Sequence, residues 1–198
     1  MRVKTDARRK AITATAWAVF KENGFERTTM SEISDRVGGS KATLYSYFKS
    51  KEELFAAALQ QAVGARSDEA FGRIAGAGAL RERLVGFART YLEARLTPDM
   101  ISVDRALIAE AERSDLGPIL RTQFLVPLWR RLAAVFEQEM AAGRLRRAAP
   151  YTAALHFRGL IEADVLERRI HGDLTVTSEE IEAAITDGVE AFLRAYAP

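Results

Sequence analysis

The chain has no cysteine, and among its 198 residues are only two histidines and five prolines. Without cysteine there can be no disulfide, no thiolate metal site and no cysteine nucleophile. His156 and His171 are the only histidines, and no metal-ligand cluster surrounds either. No GxSxG and no P-loop occur. The nearest glycine-rich piece, "GRIAGAG" (72–78), lacks both the P-loop lysine and a preceding strand, so it reads as a loop. Glu110 and Glu112, two apart on a helix, face different ways and do not form a paired-carboxylate site. These absences argue against an enzyme, and no residue pattern calls for a metal or other cofactor. Nor is there an apolar run near the roughly 18 residues that a membrane span needs. The basic start, "MRVKTDARRK", is followed by an apolar stretch broken by threonines and without a cleavage site, so the expectation is a cytoplasmic protein with no membrane segment.

What is present is an ordinary folded composition, 48% apolar and 28% charged. The net charge of +2 conceals a division. Residues 1–51 hold eleven basic against five acidic residues, a surplus of six; the remaining 147 hold 18 basic against 22 acidic, a deficit of four. A basic head on an acidic body suggests that the head meets a polyanion and the body does not, the alternative being a merely solvated basic face.

Apolar residues recur at helical spacing almost everywhere. Ile12, Ala16, Val19 and Phe20 form one stripe, and Gly24 is placed to end that helix. Capping-box spacing occurs at Thr29–Glu32, Ser50–Glu53 and Thr177–Glu180. Beyond residue 51 the pattern predicts a long helix to about Ile74, then helices at about 79–96, 99–112, 117–142, 150–170 and 178–196. Pro127 should kink the fourth of these. The expected fold is all-α with about nine helices: a three-helix head over 1–50, joined to a larger helical body over 51–198.

The stretch "TTMSEISDRVGGSKATLYSYFKSKEEL" (28–54) carries the most information. Thr29 caps a helix from about Met30 to Val37, Gly38-Gly39 supplies a tight turn, and Ser40 caps a second short helix from Lys41 to about Phe48. Two short helices joined by a glycine-containing turn and packed on a longer one describe a helix-turn-helix. At about 100° per residue, Leu44 and Phe48 face the core with Ile12, Phe20 and Ile33. Ala42, Thr43 and Ser46 lie opposite, flanked by Lys41, Tyr45 and Tyr47. Small residues and hydroxyls on such a face suit entry into a major groove, with lysines and the helix N-terminus available to phosphates. Lys51, opening the next helix, could grip the same backbone. Taken singly, the tyrosines also read as packing aromatics, the lysines as solvated cations, and Thr29 and Ser40 as caps alone.

The segment from "AITATAWAVFKENGFERTT" through "SKEELF" strongly resembles the DNA-binding head of the TetR family of transcriptional regulators. The shared pattern comprises Phe20, Gly24-Phe25, Thr28-Thr29, Ile33-Ser34, Gly38-Gly39-Ser40, Thr43-Leu44-Tyr45, Phe48 and Ser50-Lys51-Glu52, about 45 residues without a gap. Gly39 departs from it, standing where the family usually has a valine packed in the turn. The resemblance implies double-stranded DNA as partner and Thr29, Ser31, Ser40, Lys41, Thr43, Tyr45, Tyr47 and Lys51 as contact positions. Arg2, Lys4, Arg8 and Arg9 are candidates for further phosphate contacts.

A helix-turn-helix usually reads half of a two-fold site as a dimer, so a dimer surface is expected. The last two predicted helices are candidates, with Phe157, Ile161, Val165, Ile185, Val189 and Phe192 as interface residues and Ala184, Gly188 and Ala191 permitting close approach. The middle of the chain exceeds what is needed to join a reader to a dimer interface. By the resemblance it would house an apolar or aromatic small-molecule effector whose binding moves the helix starting at Lys51. Phe87, Tyr91, Arg105, Phe124, Trp129 and His156 are the candidate contacts. The stretch "RALIAEAERSDLGPIL" also resembles one branch of the family's C-terminal domains. The expected function is a ligand-released repressor on a palindromic operator; the alternative is an architectural or partner-controlled DNA-binding protein without an inducer.

Overall fold

A computed structural model describes residues 5–198. Arg2 and Lys4, candidates for phosphate contacts, lie outside the described residues. The chain is all-α: α1 (Asp6–Arg27), α2 (Met30–Val37), α3 (Lys41–Tyr47), α4 (Lys51–Ala75), α5 (Leu80–Arg95), α6 (Pro98–Glu110), α7 (Leu116–Leu120), α8 (Val126–Ala141), α9 (Pro150–Glu162), α10 (Val165–Ile170) and α11 (Ser178–Ala195). Nine helices of seven or more residues agree with the expected number among the described residues, and α7 and α10 are short additions.

Two expected helices are divided, each for a local reason. Over 117–142, Pro127 does more than kink: Arg121–Leu125 winds as a π-helical turn between α7 and α8, and Pro127 sits in the first turn of α8. A proline lacks its N–H and its ring crowds the carbonyl four residues back, and widening the preceding turn relieves both. Over 150–170, helix α9 stops at Ala163, whose φ of 39° and ψ of −133° break the run. Of the three capping-box spacings, only Thr177–Glu180 closes reciprocally: Glu180 N–H donates to Thr177 Oγ1 at 3.2 Å and Thr177 N–H donates to Glu180 Oε2 at 2.7 Å. At the other two, the hydroxyl caps the helix but the glutamate turns elsewhere. Glu32 accepts from Asn23 Nδ2 at 2.6 Å, and Glu53 accepts from Lys49 N–H at 2.9 Å.

The chain packs as two compact units. One joins the chain up to Ala65 with Ser102–Phe124; the other joins Arg66–Ile101 with Leu125–Pro198. In the first, α1 is capped by Thr5 and turns at Gly24, where φ is 78°. That turn brings Phe25 back against Phe20 and Phe55, with ring centroids 6.0, 5.1 and 4.9 Å apart in the three pairs. Ile12, Ile33, Leu44 and Phe48 are buried with them.

In the second unit, α9 packs on α8 and α11, and α11 also packs on α5. Phe136, Phe157 and Phe192 meet at its centre, centroids 4.9–5.8 Å apart. Helices α9 and α11 approach so closely that a Cβ on Gly188 would lie 2.6 Å from the Leu160 carbonyl oxygen. A buried carboxylate, Glu139, accepts from Arg83 Nη1 at 3.0 Å and from Arg144 Nε.

Candidate functional site

The head's outward surface follows from how its short helices are pinned. Seven residues are too few for α3 to be stable alone, so its position is set at both ends. Ser40 Oγ accepts the Thr43 N–H at 3.1 Å, and Leu44 and Phe48, both 2% exposed, anchor its inner side. The preceding turn is closed by Gly38 in the left-handed region (φ 69°), with Gly39 N–H donating to Ser34 O at 3.2 Å and Ser34 Oγ donating to Gly39 O at 2.8 Å. A side chain at Gly38 would be strained there, which explains the glycine.

With the inner face fixed, the opposite face is presented to solvent. Ser40, Lys41, Ala42, Tyr45 and Ser46 are exposed, Tyr45 by 49%, while Thr43 is half-buried and shares a 2.9 Å hydrogen bond with Ser40 Oγ. Thr29 is exposed at the start of α2 and accepts from Glu32 N–H at 3.2 Å; Ser31, two residues on, is half-buried. An exposed tyrosine and lysine beside small residues make a ridge of the kind that an α-helix offers to a major groove.

Two expected contact residues are engaged within the protein. Lys51 Nζ donates to Phe25 O at 2.9 Å and Glu26 O at 3.3 Å, and sits 4.2 Å from the Phe25 ring centroid. The lysine thus closes the C-terminal turn of α1, where carbonyls point at a cation. The Tyr47 hydroxyl accepts Thr5 N–H at 3.2 Å, so its ring ties the end of α3 to the start of α1. Arg8 reaches over Gly39 to donate to Val37 O at 3.4 Å. Its terminal nitrogen occupies the space a side chain at 39 would take, 3.1 Å from an ideal Cβ. The sequence signal for this was present in the unusual glycine but pointed to no partner.

The six expected interface residues are all spent inside the chain. Phe157, Ile161, Val165, Ile185, Val189 and Phe192 are each at most 2% exposed. The wide apolar arc on α9 is used up by α8 and α11, which cover it from two sides. The surface of the same helices is instead an open groove lined by small residues, including Ala163, Ala183, Ala184 and Ala191, together with Asp164, Arg168 and Asp187.

The six candidate effector residues divide. Phe87, Tyr91 and Trp129 come together in the second unit: Phe87 and Tyr91 are parallel within 4° at 6.0 Å, and Tyr91 meets Trp129 edge-on at 5.4 Å. Arg105 and Phe124 belong to the first unit. His156 lies on the outside of the second, its Nδ1 2.7 Å from the Tyr196 hydroxyl, away from the aromatic group. Two residues not anticipated complete the cluster. The Tyr91 hydroxyl donates to Glu162 Oε1 at 2.6 Å, and Arg158 Nε donates to both Glu162 oxygens at 3.0 Å. Burial, reinforced by the Glu162 charge, pushes the Tyr91 phenol well above its ordinary pKa. The four-residue spacing of Arg158 and Glu162 was the available signal.

Among the described residues no helix is long and apolar enough to cross a membrane, and no group of ligating side chains could hold a metal. Residues 12–58 match the model of bacterial regulatory proteins of the tetR family, and residues 82–198 match that of the AefR-like transcriptional repressor C-terminal domain. The chain is 34% identical over 109 residues to the HTH-type transcriptional regulator BetI of Rhizobium meliloti. That match covers 54% of each protein, so the chain spans about half the length of this relative. Over 98% of its length it is similar to the flavonoid-responsive regulator FrrA, at 30% identity, 99% coverage of that chain and a TM-score of 0.70. A TetR-family regulator from Mesorhizobium loti MAFF303099 shares the fold over the full length of both chains, with a TM-score of 0.82 at 24% identity. A helix-turn-helix with its reading face exposed, followed by an AefR-like body, leaves one assignment: the chain belongs to the TetR family of DNA-binding transcriptional regulators.

Proposed function

We propose that the protein is a cytoplasmic, ligand-released repressor that binds a palindromic operator as a homodimer. The observation that carries this reading is the exposed ridge of α3, held rigid from behind by Leu44 and Phe48. Tyr45, Thr43 and Ser46 face the bases. Lys41, Ser40, Thr29 and Ser31 grip the flanking phosphates, and Tyr47 and Lys51 hold α3 and α4 against α1 so that the ridge keeps its angle. The test is selection from a DNA library with salt dependence measured for wild type, Lys41→Ala and Tyr45→Ala. Lys41→Ala should weaken binding to all sequences and flatten the log–log salt slope by about one unit; Tyr45→Ala should relax preference at one base position. Absence of a selected sequence and of any salt slope would overturn the reading.

The dimer forms through the outer groove of α9, α10 and α11, whose small residues admit a partner helix. Ala183→Arg, at an exposed position in that groove, should therefore produce a monomer by sedimentation without unfolding the chain. The effector is an aromatic compound received by the second unit near Phe87, Tyr91 and Trp129, a reading supported by the flavonoid response in the name of the relative FrrA. It lowers operator affinity only to the extent that it binds the DNA-free arrangement more tightly.

A further inference from the structure

The buried cluster at Tyr91 and Trp129 has hydrogen-bond donors left over. Glu162, 8% exposed, takes the Tyr91 hydroxyl at 2.6 Å and Arg158 Nε at 3.0 Å, which uses both carboxylate oxygens. Trp129 is 2% exposed, yet its indole N–H has no hydrogen-bond partner. Arg158 lies with its guanidinium carbon 5.4 Å from the Trp129 ring centroid, and only its Nε donates; the terminal N–H groups make no hydrogen bond among the described residues. The Arg158 side chain keeps 29% of its surface exposed, so the cluster borders solvent on that side. Tyr91 meets the Trp129 ring edge-on beside these donors, with Phe87 parallel behind it.

A buried donor without a partner is costly and in a native protein calls for an explanation. A site with a buried donor to spare favours a ligand that brings an acceptor. We propose that Trp129 Nε1 and the terminal nitrogens of Arg158 bind the oxygen of a planar aromatic ketone or carboxylate, whose ring packs against the half-buried Tyr91. This rests on the effector reading above and deepens it, fixing which group of the effector is recognised and by which atoms. Ketone and carboxylate share the acceptor oxygen. They differ in charge, and Glu162 already offsets that of Arg158, so the site does not demand an anion.

The experiment compares three probes of one shape on the full-length protein by titration calorimetry: 1-acetonaphthone, 1-naphthoate and 1-ethylnaphthalene. Operator affinity is measured in parallel with each. The ketone or the carboxylate should bind roughly tenfold more tightly than the hydrocarbon, the scale of one hydrogen bond to a buried donor, and Trp129→Phe should remove most of that advantage. A carboxylate preference over the ketone would assign the larger share to Arg158, and the reverse to Trp129. The probe comparison needs no variant, so it stands even if Trp129→Phe fails to fold. Equal binding of all three overturns the donor assignment, and does so without touching the effector reading if they still weaken operator binding. Tight, Trp129-dependent binding with unchanged operator affinity supports the site and overturns its role as the effector site. No binding of either oxygenated probe at millimolar concentration overturns the proposal.

Discussion

A single added methyl group should change stability in opposite directions at two glycines of the second unit. Within an open helix, glycine to alanine gains up to about 1 kcal/mol, because glycine has more backbone freedom to lose. Gly72, within α4, has nothing within 4 Å of an ideal Cβ, so Gly72→Ala should show that gain. At Gly188 the same Cβ would meet the Leu160 carbonyl oxygen at 2.6 Å, its carbonyl carbon at 2.8 Å and the Ile161 nitrogen at 2.9 Å. All three are backbone atoms, so no side-chain rotation relieves the contact. Helices α9 and α11 must move apart by about 1 Å to restore normal van der Waals spacing, and dispersion contacts weaken steeply over that distance. Overpacking of this kind costs ~1–3 kcal/mol, which outweighs the helical gain. Gly188→Ala should thus be less stable than wild type, and less stable than Gly72→Ala by roughly 1–3 kcal/mol, since the helical gain is common to both. Urea unfolding followed by circular dichroism reads the shift in midpoint, at one fixed protein concentration because the stability of any oligomer depends on it. A Gly188→Ala variant that unfolds at or above the wild-type midpoint would refute the close approach of α9 and α11.

Three further outcomes test separate parts of the molecule. Lys51→Met removes the two hydrogen bonds to the end of α1 and should lower stability by about 1–2 kcal/mol while leaving the salt slope of DNA binding unchanged; a slope reduced by about 0.9 would make Lys51 a phosphate contact after all. The hydrogen bonds of Arg144 and Arg83 hold the Glu139 carboxyl below its ordinary pKa. That stabilisation is present in full above the unfolded value of about 4.3 and is lost as the pH falls through the lower folded value. Glu139→Gln should therefore cost about 1–3 kcal/mol near pH 7, with the gap to wild type closing as unfolding is repeated at successively lower pH below about 4.3. Gly39→Ala should raise the melting temperature by the equivalent of about 0.4–1 kcal/mol, since its Cβ meets only the flexible end of Arg8; a lower melting temperature would show that Arg8's bond to Val37 O matters more than chain entropy.

The head was legible because its signals are local. Caps at Thr29 and Ser40, glycines at the turn and apolar residues four apart each specify conformation within a few residues, and the structure places Leu44 and Phe48 on the inner side as that spacing requires. The body was legible only as a set of helices. Apolar periodicity shows that α9 and α11 bury a face, but not whether the cover comes from the same chain or another. For Phe157, Ile185 and Phe192 it comes from the same chain, through Phe136 and the helices on either side. The partnership of Tyr91 with Glu162 spans 71 residues and has no local signature at all. His156 shares the residue type of a polar pocket group, but it is exposed, about 100° around α9 from the buried Phe157.

The break after α9 shows how such long-range partners can impose a conformation that local sequence opposes. Ala163 has φ 39° and ψ −133°, a region that residues with a Cβ rarely adopt at a cost of about 1–3 kcal/mol. No glycine relieves it, so the surroundings must hold it. On one side Glu162 is fixed by Tyr91 and Arg158; on the other, Val165 and Leu166 are buried 2% and 7% exposed. The chain has to redirect between two anchors only a few residues apart. Ala163→Gly removes the steric cost and adds about 0.5–1 kcal/mol of unfolded-state entropy, for a net gain of about 1 kcal/mol in the midpoint of urea unfolding. If the Glu162 anchor is what sustains the strain, then Tyr91→Phe, which releases one of its two ties, lets Ala163 relax. Ala163→Gly should then gain less in that background than in wild type, a coupling that a double-mutant cycle measures directly. An equal gain in both backgrounds would place the cause of the strain in the α10 anchor, and a loss of stability in the single variant would mean that Ala163 is not strained.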